Sequence, residues 1–184
     1  MPGREVVVAE VFLRRLTRWQ ADQQRETVAD TYVKTYGGDP SGRPEFLRRF
    51  ADHIQQPGFE MVVANGGGDA AGCAYGFPPR AASGWWTGLH GELPVEVAES
   101  AAAGKVFVIV DLMVLPQHRR QGLAGRMRER LLAGTDAGFA AVRVPRDNHA
   151  ALAAFRSWDW SMLGEWRPDP ATSPADVWGC RLRS

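Results

Sequence analysis

Cysteine is nearly absent: the 184 residues hold two, Cys73 and Cys180, far apart and in no CxxC pair. That usage excludes a disulfide-stapled scaffold and a thiolate zinc site. It leaves two reduced, buried thiols in a chain expected in the cytoplasm. Histidine is also sparse, with four scattered residues, no HExxH and no Cys/His cluster, so no metal is expected. No apolar run approaches the roughly 20 residues that cross a bilayer. The opening MPGREVVVAEVF has no signal-peptide core followed by a small-residue cleavage site. Excess charge is missing too. A net charge of +1 excludes a surface built to coat nucleic acid or an anionic membrane, so any basic site must be local. There is no GxGxxG, no GKS or GKT ending, no internal repeat and no low-complexity tract.

What remains is an ordinary globular composition, 45% hydrophobic and 23% charged, of a length that suits one domain spanning 1–184. REVVVAEVFLRRL, residues 4–16, reads as a first strand. From Trp19 to Tyr36 the residues Val28, Ala29, Tyr32, Val33 and Tyr36 recur at helical spacing and predict one helix. Phe46, Leu47, Phe50, Ala51 and Ile54 predict a second, opened by Pro44. FEMVVA and AGCAYGF flank a glycine-rich turn and form a hairpin. The irregular segment 78–104 is an insertion or lid holding Trp85, Trp86 and a short helix. KVFVIVDLMVLP is apolar enough to be a central strand covered on both faces. Leu123, Met127 and Leu131 mark the helix after it. FAAVRVP is a strand, DNHAALAAFRSW a helix with Asx capping, and SMLGEW and DVWGCRL close the chain as strands.

The junction PQHRRQGLAGRM, residues 116–127, concentrates arginine and glycine where that central strand runs into a helix. A helix start leaves backbone N–H groups unpaired and adds partial positive charge, so it binds phosphate. Glycine lets an anion reach the backbone, and arginine supplies a fork of donors. Read without its surroundings, the same stretch is a solvated basic helix start. Arg119, Arg120, Arg126, Arg128 and Arg130 could also make a nucleic-acid-binding helix, but Glu129 interrupts them and no basic stripe exists elsewhere.

Leu112-Met113-Val114-Leu115-Pro116 followed by Arg119-Arg120-Gln121-Gly122-Leu123-Ala124 is similar to the main signature of the GCN5-related N-acetyltransferase (GNAT) family. Asn148, with Ala151 three residues on, matches the family's next motif, and the order of elements matches over nearly the whole chain. The resemblance implies an α/β fold. Its mixed, mostly antiparallel central sheet is flanked by helices and split at the central strand for acetyl-CoA, which serves as co-substrate. It implies a pyrophosphate site on Arg119, Arg120, Gln121, Gly122, Leu123, Ala124 and Gly125, with Asn148 beside it and a pantetheine arm running along Met113 and Val114. The reaction implied is acetyl transfer to a primary amine by direct attack through a tetrahedral intermediate, with the Val114 backbone N–H as oxyanion donor. The acceptor would be a small-molecule amine or a peptide amine, with no nucleic acid and no membrane as partner, in a monomer or homodimer. A non-catalytic CoA-binding regulatory module is the alternative.

Asp111, an acid in an apolar strand, is the candidate base, although a paired or edge-facing carboxylate reads equally well. Trp85 and Trp86 are candidates for a wall or lid over the acceptor, or for core packing. Glu92, Glu96 and Glu99 read as a solvated face sooner than as an amine attractor, and Tyr32 and Tyr36 as core. The family's usual general acid is a Tyr seven residues after the Asn. Here that position is Phe155, so the acid is unknown. Ser157 lies about 200° around the helix, and it and Tyr75 rank below water as replacements.

Overall fold

The computed structural model describes residues 10–80 and 83–183. Its centre is β5 (Val106–Val114), the strand that the sequence marks as apolar on both faces. Around it run β1 (Val11–Leu16), β2 (Glu60–Gly66), β3 (Asp69–Phe77), β4 (Leu89–His90), β6 (Phe139–Pro145), β7 (Ser161–Trp166) and β8 (Ala175–Arg181). All eight form one sheet in the order β1-β2-β3-β5-β6-β8-β7-β4. Every pairing is antiparallel except β5 with β6. This is the mixed, mostly antiparallel sheet expected from the sequence. Of the first predicted strand, residues 4–9 lie outside the described residues, and β1 accounts for the rest.

The helix expected over Trp19–Tyr36 is two helices, α1 (Arg18–Gln23) and α2 (Arg25–Thr35). Thr17 and Gln20 close a capping box at the start of α1, and Gln24 leaves helical geometry with ψ 8°. Capping by Thr and Gln satisfies orphan N–H groups reciprocally, which makes so short a helix tenable. Apolar periodicity runs straight through Gln24 and does not mark the break. α3 (Arg43–Ile54) follows with Pro44 in its first turn, and α1–α3 pack Ala21, Val28, Phe46, Phe50 and Ile54 on one face of the sheet. α5 (Leu123–Leu132) and α6 (His149–Ser157) cover the other face, where Leu123, Met127, Leu131 and Phe155 are buried. Fully burying side chains of this size contributes roughly 1.5–3 kcal/mol each.

Segment 83–104 covers the rest of the α1–α3 face. It contains β4 and α4 (Val95–Ala102), with Trp85, Trp86 and Ala101 packed on Phe77, Val106 and Val108. Its fastening is specific. β4 pairs with β7, the Trp166 indole N–H donates to the Thr87 carbonyl at 2.8 Å, and Gly88 sits so close that a Cβ there would lie 2.5 Å from Pro168 Cα. Glu96 pairs with Arg181, and Glu92 and Glu99 are exposed, so the acidic face is solvated. Cys73 and Cys180 are free thiols on β3 and β8. Among the described residues no helix is long and apolar enough to cross a membrane, and no His/Cys/Asp/Glu group could hold a metal.

Where β3 meets β5 the register shifts. Tyr75 pairs with Asp111 and Gly76 with Ile109, which leaves Val110 as an extra residue in a β-bulge. The strands crowd there: a Cβ on Gly76 would lie 2.0 Å from the Val108 carbonyl oxygen and 2.8 Å from the Phe107 ring. Gly76→Ala is therefore expected to cost about 2–3 kcal/mol and to lower Tm by roughly 5–10 °C in a thermal scan. An unchanged Tm would mean that the strands part without penalty.

Candidate active site

β5 and β6 run side by side only from Val106/Phe139 to Ile109/Val142. Beyond the bulge they separate, and a cleft of about 490 Å³ opens between Val110–Leu112 on one side and Val142–Pro145 on the other. Asn148, Ala151 and Phe155 of α6 form one end. Tyr32, Tyr36, Arg49 and His53 border it from the α2–α3 side, with Trp85 beside them. A second chamber of about 560 Å³ adjoins it, sharing His53, Phe77, Trp85 and Arg143 as walls.

The bulge also decides what the cleft contains. Phe107 and Ile109 face α5, while Val110 and then Met113 face α1–α3, so the two-residue alternation reverses at Val110. Asp111 is thereby turned to the α3 face. Its Oδ2 accepts the Tyr75 hydroxyl at 2.7 Å and Arg49 Nη2 at 3.4 Å, and neither of these bonds uses Oδ1. Burial raises the Asp111 pKa above the ordinary carboxylate range, while Arg49 and the Tyr75 hydrogen bond hold it back. The Tyr75 hydroxyl has one proton, given to Asp111, so His53 Nδ1, 3.1 Å away, donates to the Tyr75 oxygen and leaves Nε2 as the acceptor nitrogen. Burial, aided by Arg49, pushes the His53 pKa down to about 4, so the imidazole is neutral at neutral pH. Cleft, bulge and hydrogen-bond chain together form one site.

In an antiparallel ladder, successive residues alternate which neighbour they bond. Leu115 N–H donates to the Ala71 carbonyl of β3 at 2.9 Å, which directs Met113 to β3 and turns Leu112 and Val114 toward the cleft side. The sequence placed a cofactor role on Met113, but that residue is fully buried and its carbonyl faces Gly72. Leu112, which the sequence reading passed over, lines the cleft.

At the turn, Arg120 and Gly122 have left-handed backbones, with φ 59° and 72°. From Arg120 to Gly125 no backbone N–H has a hydrogen-bond partner among the described residues, and a Cβ at Gly122 would meet open space. Unpaired N–H groups at a helix start are the arrangement that can hold an anion. Arg119 is used differently from expectation. Its side chain donates to the Val114 carbonyl at 3.2 Å and the Thr35 carbonyl at 2.8 Å, bracing the turn. Gln121 likewise bonds the Gln117 carbonyl. Arg126 reaches the Val11 carbonyl, and Arg128 lies 4.4 Å over Trp158. A Cβ at Gly125 would stand 3.6 Å from the Trp158 ring, an ordinary contact.

Asn148 caps α6 through its carbonyl oxygen, bonded by Ala151 N–H at 3.1 Å, and lines the cleft. Phe155 lines it too, buried against Trp158 and Trp160. Ser157 is exposed, with its hydroxyl on the Ala154 carbonyl. Trp85 walls both chambers and stands edge-on to Trp86, 4.5 Å between ring centres. Tyr32 stacks on Phe46 yet borders the cleft, and Tyr36 is half exposed at its rim. Sequence reasoning missed Arg49, His53 and Arg143. Arg49 and His53 do stand at i and i+4, but nothing in the pattern distinguishes Arg49 from Arg48.

The model of the Acetyltransferase (GNAT) family matches residues 16–159. No curated protein matches the chain. Solved structures share the fold at low identity. A GNAT-family protein from Desulfovibrio desulfuricans superposes with TM-score 0.68 at 14% identity, covering 94% of this chain and 99% of its own. PaiA N-acetyltransferase from Thermoplasma acidophilum, in complex with coenzyme A, gives 0.59 at 8%, covering 94% and 99%. An aminoglycoside N-acetyltransferase in complex with CoA gives 0.58 at 14%, covering 84% and 90%. The family match runs from the last residue of β1 to just beyond α6 and takes in both walls of the cleft; the chain belongs to the GNAT acetyltransferase family.

Proposed function

We propose that the protein transfers the acetyl group of acetyl-CoA to a primary amine by direct attack. The observation that carries this reading is the separation of β5 from β6, which turns the Leu112 and Val114 backbones toward a cleft that also holds a carboxylate of raised pKa. The pantetheine arm adds to β5 as a strand would, bonding Val114 and Leu112. The pyrophosphate rests on the unpaired N–H groups from Arg120 to Gly125. Leu112, nearer the cleft's titratable groups than Val114, supplies the oxyanion donor.

In the step itself, the neutral amine nitrogen bonds to the thioester carbon and the carbonyl electrons move onto oxygen. Asp111, through Oδ1, takes the proton that the nitrogen sheds. The carbon–sulfur bond then breaks, and the thiolate takes a proton from water. A thiol of pKa about 8.5 leaves without a dedicated acid. Phe155 has no proton to give, the Ser157 hydroxyl is committed to a carbonyl, and the Tyr75 hydroxyl to Asp111. Neither Cys73 nor Cys180 is needed as a nucleophile, and burial raises both thiol pKa values, that of Cys180 to about 11.

Gly122→Asp adds bulk and negative charge at the cradle. It should reduce CoA affinity at least a hundredfold by calorimetry, and the left-handed backbone at φ 72° should cost about 1 kcal/mol, lowering Tm by a few degrees without unfolding the protein. Unchanged affinity in a folded variant would remove the turn from the phosphate site.

Asp111→Asn should lower kcat by roughly 10²–10⁴-fold while CoA affinity holds, the usual share of a general base. In the wild type, kcat/KM rises with pH as Asp111 ionises, with a midpoint above the ordinary carboxylate range, and this limb disappears in the variant. Retention of the limb would exclude Asp111 as the base. Binding of CoA without thiol release for any amine would favour the non-catalytic module.

Phe155→Tyr should change kcat at most modestly, since water already serves as the acid. A gain of two orders of magnitude in steady-state turnover would show that an acid was lacking.

A further inference from the structure

Arg143, in the middle of β6, has no carboxylate partner among the described residues. Its guanidinium carbon lies 4.5 Å from the centre of the Trp85 ring and 4.1 Å from that of Trp166. Burial lowers its pKa to about 10, with no carboxylate contributing, and it remains a cation at neutral pH. Its Nε is buried without a hydrogen-bond partner among the described residues. Nearby Arg146 shows the contrast, held by Glu165 at 2.6 Å and Asp176 at 2.7 Å.

Removing a cation from water without a counter-charge is costly, and cation–π contact offsets only part of that. A ring laid over a guanidinium covers its face and leaves the in-plane N–H fork, which matches a planar carboxylate. The position of Arg143 gives that fork a use. It lines both the cleft beside Asp111 and the adjoining chamber, whose walls are largely apolar and include no Asp or Glu. Asp111, the one carboxylate among the described residues that line the cleft, is already engaged by Arg49.

We infer that the acceptor is an amine that also carries a carboxylate, with Arg143 binding the carboxylate while the amine faces Asp111 and an apolar body fills the chamber between Trp85 and Trp166. This rests on the acetyl-transfer reading and narrows its acceptor. A polycation such as an aminoglycoside would meet an unpaired guanidinium and, among the described lining residues, no carboxylate besides Asp111 for its further amines. The fold likeness to aminoglycoside acetyltransferases therefore does not extend to their substrate.

The test is a panel of amino acids with varied amine-to-carboxylate spacing, each beside its neutral primary amide and its phosphonate, assayed by thiol release from acetyl-CoA. Wild type should favour at least one carboxylate over its amide by roughly 10- to 100-fold in kcat/KM, the range for a hydrogen-bonded charge pair. Arg143→Gln should abolish that preference through KM, and Arg143→Lys should restore part of it. Indole fluorescence of the CoA-bound protein gives a second readout, because Trp85 and Trp166 flank the site. The carboxylate should saturate the signal in wild type and not in Arg143→Gln, both checked for an unchanged Tm. Saturation without thiol release from any acceptor would keep the carboxylate site and remove acetyl transfer. Equal use of acid and amide, or a preference that survives Arg143→Gln, would overturn the assignment. A response to the phosphonate alone would overturn the carboxylate in favour of a phosphate group.

Discussion

One unpaired residue, Val110, reverses the alternation of β5 halfway along. The first half of the strand is an ordinary member of the sheet, pairing with β3 on one side and β6 on the other. After the bulge, pairing with β3 continues and pairing with β6 stops. A bulge adds twist and bend to the strand that carries it, and the bend here opens the cleft. The same extra residue moves Asp111 to the face where Arg49, Tyr75 and His53 lie. The free edge of β5 and the titratable cluster thus share one cause, and Gly76 is the point where β3 accommodates it.

Around that opening, the protein uses its cations in opposite ways. Arg49 and Arg119 are committed, one to a buried carboxylate and the other to two backbone carbonyls. Arg119 therefore braces the turn before α5, and the groups left without partners there among the described residues are backbone N–H groups. Arg143 is left open. A chain of near-zero net charge can still present strong local fields, because what matters in a cleft is which charges lack partners.

Most of the scaffold was legible from the chain. Strands other than β4 and the helices α3, α5 and α6 follow from apolar spacing, and the turn before α5 from glycine and arginine at a strand-to-helix junction. Capping chemistry at Asn148 was readable too. The break at Gln24 was not, since Ala21 and Val28 stay in phase across it. The reversal at Val110 was also hidden, because VFVIVDLMV is apolar at nearly every position and carries no alternation that could slip. That concealment is why Met113 stood in for Leu112. Arg49, His53, Tyr75 and Asp111 come from three elements, and only tertiary packing brings them together. Arg143 looks like a polar interruption in FAAVRVP, and its meaning depends on two tryptophans from distant loops and strands.

The ends of the sheet bear on how the protein behaves in a crowded solution. Edge strands are templates for unwanted pairing, and proteins blunt them with shortness or charge. On one side the sheet ends in β4, two residues long and followed by Gly91 at φ 115°, so an incoming strand finds almost no ladder to extend. On the other side β1 exposes Phe12 and Arg14 in alternation. Among the described residues the longer terminal strand is thus β1, and a cation stands on it.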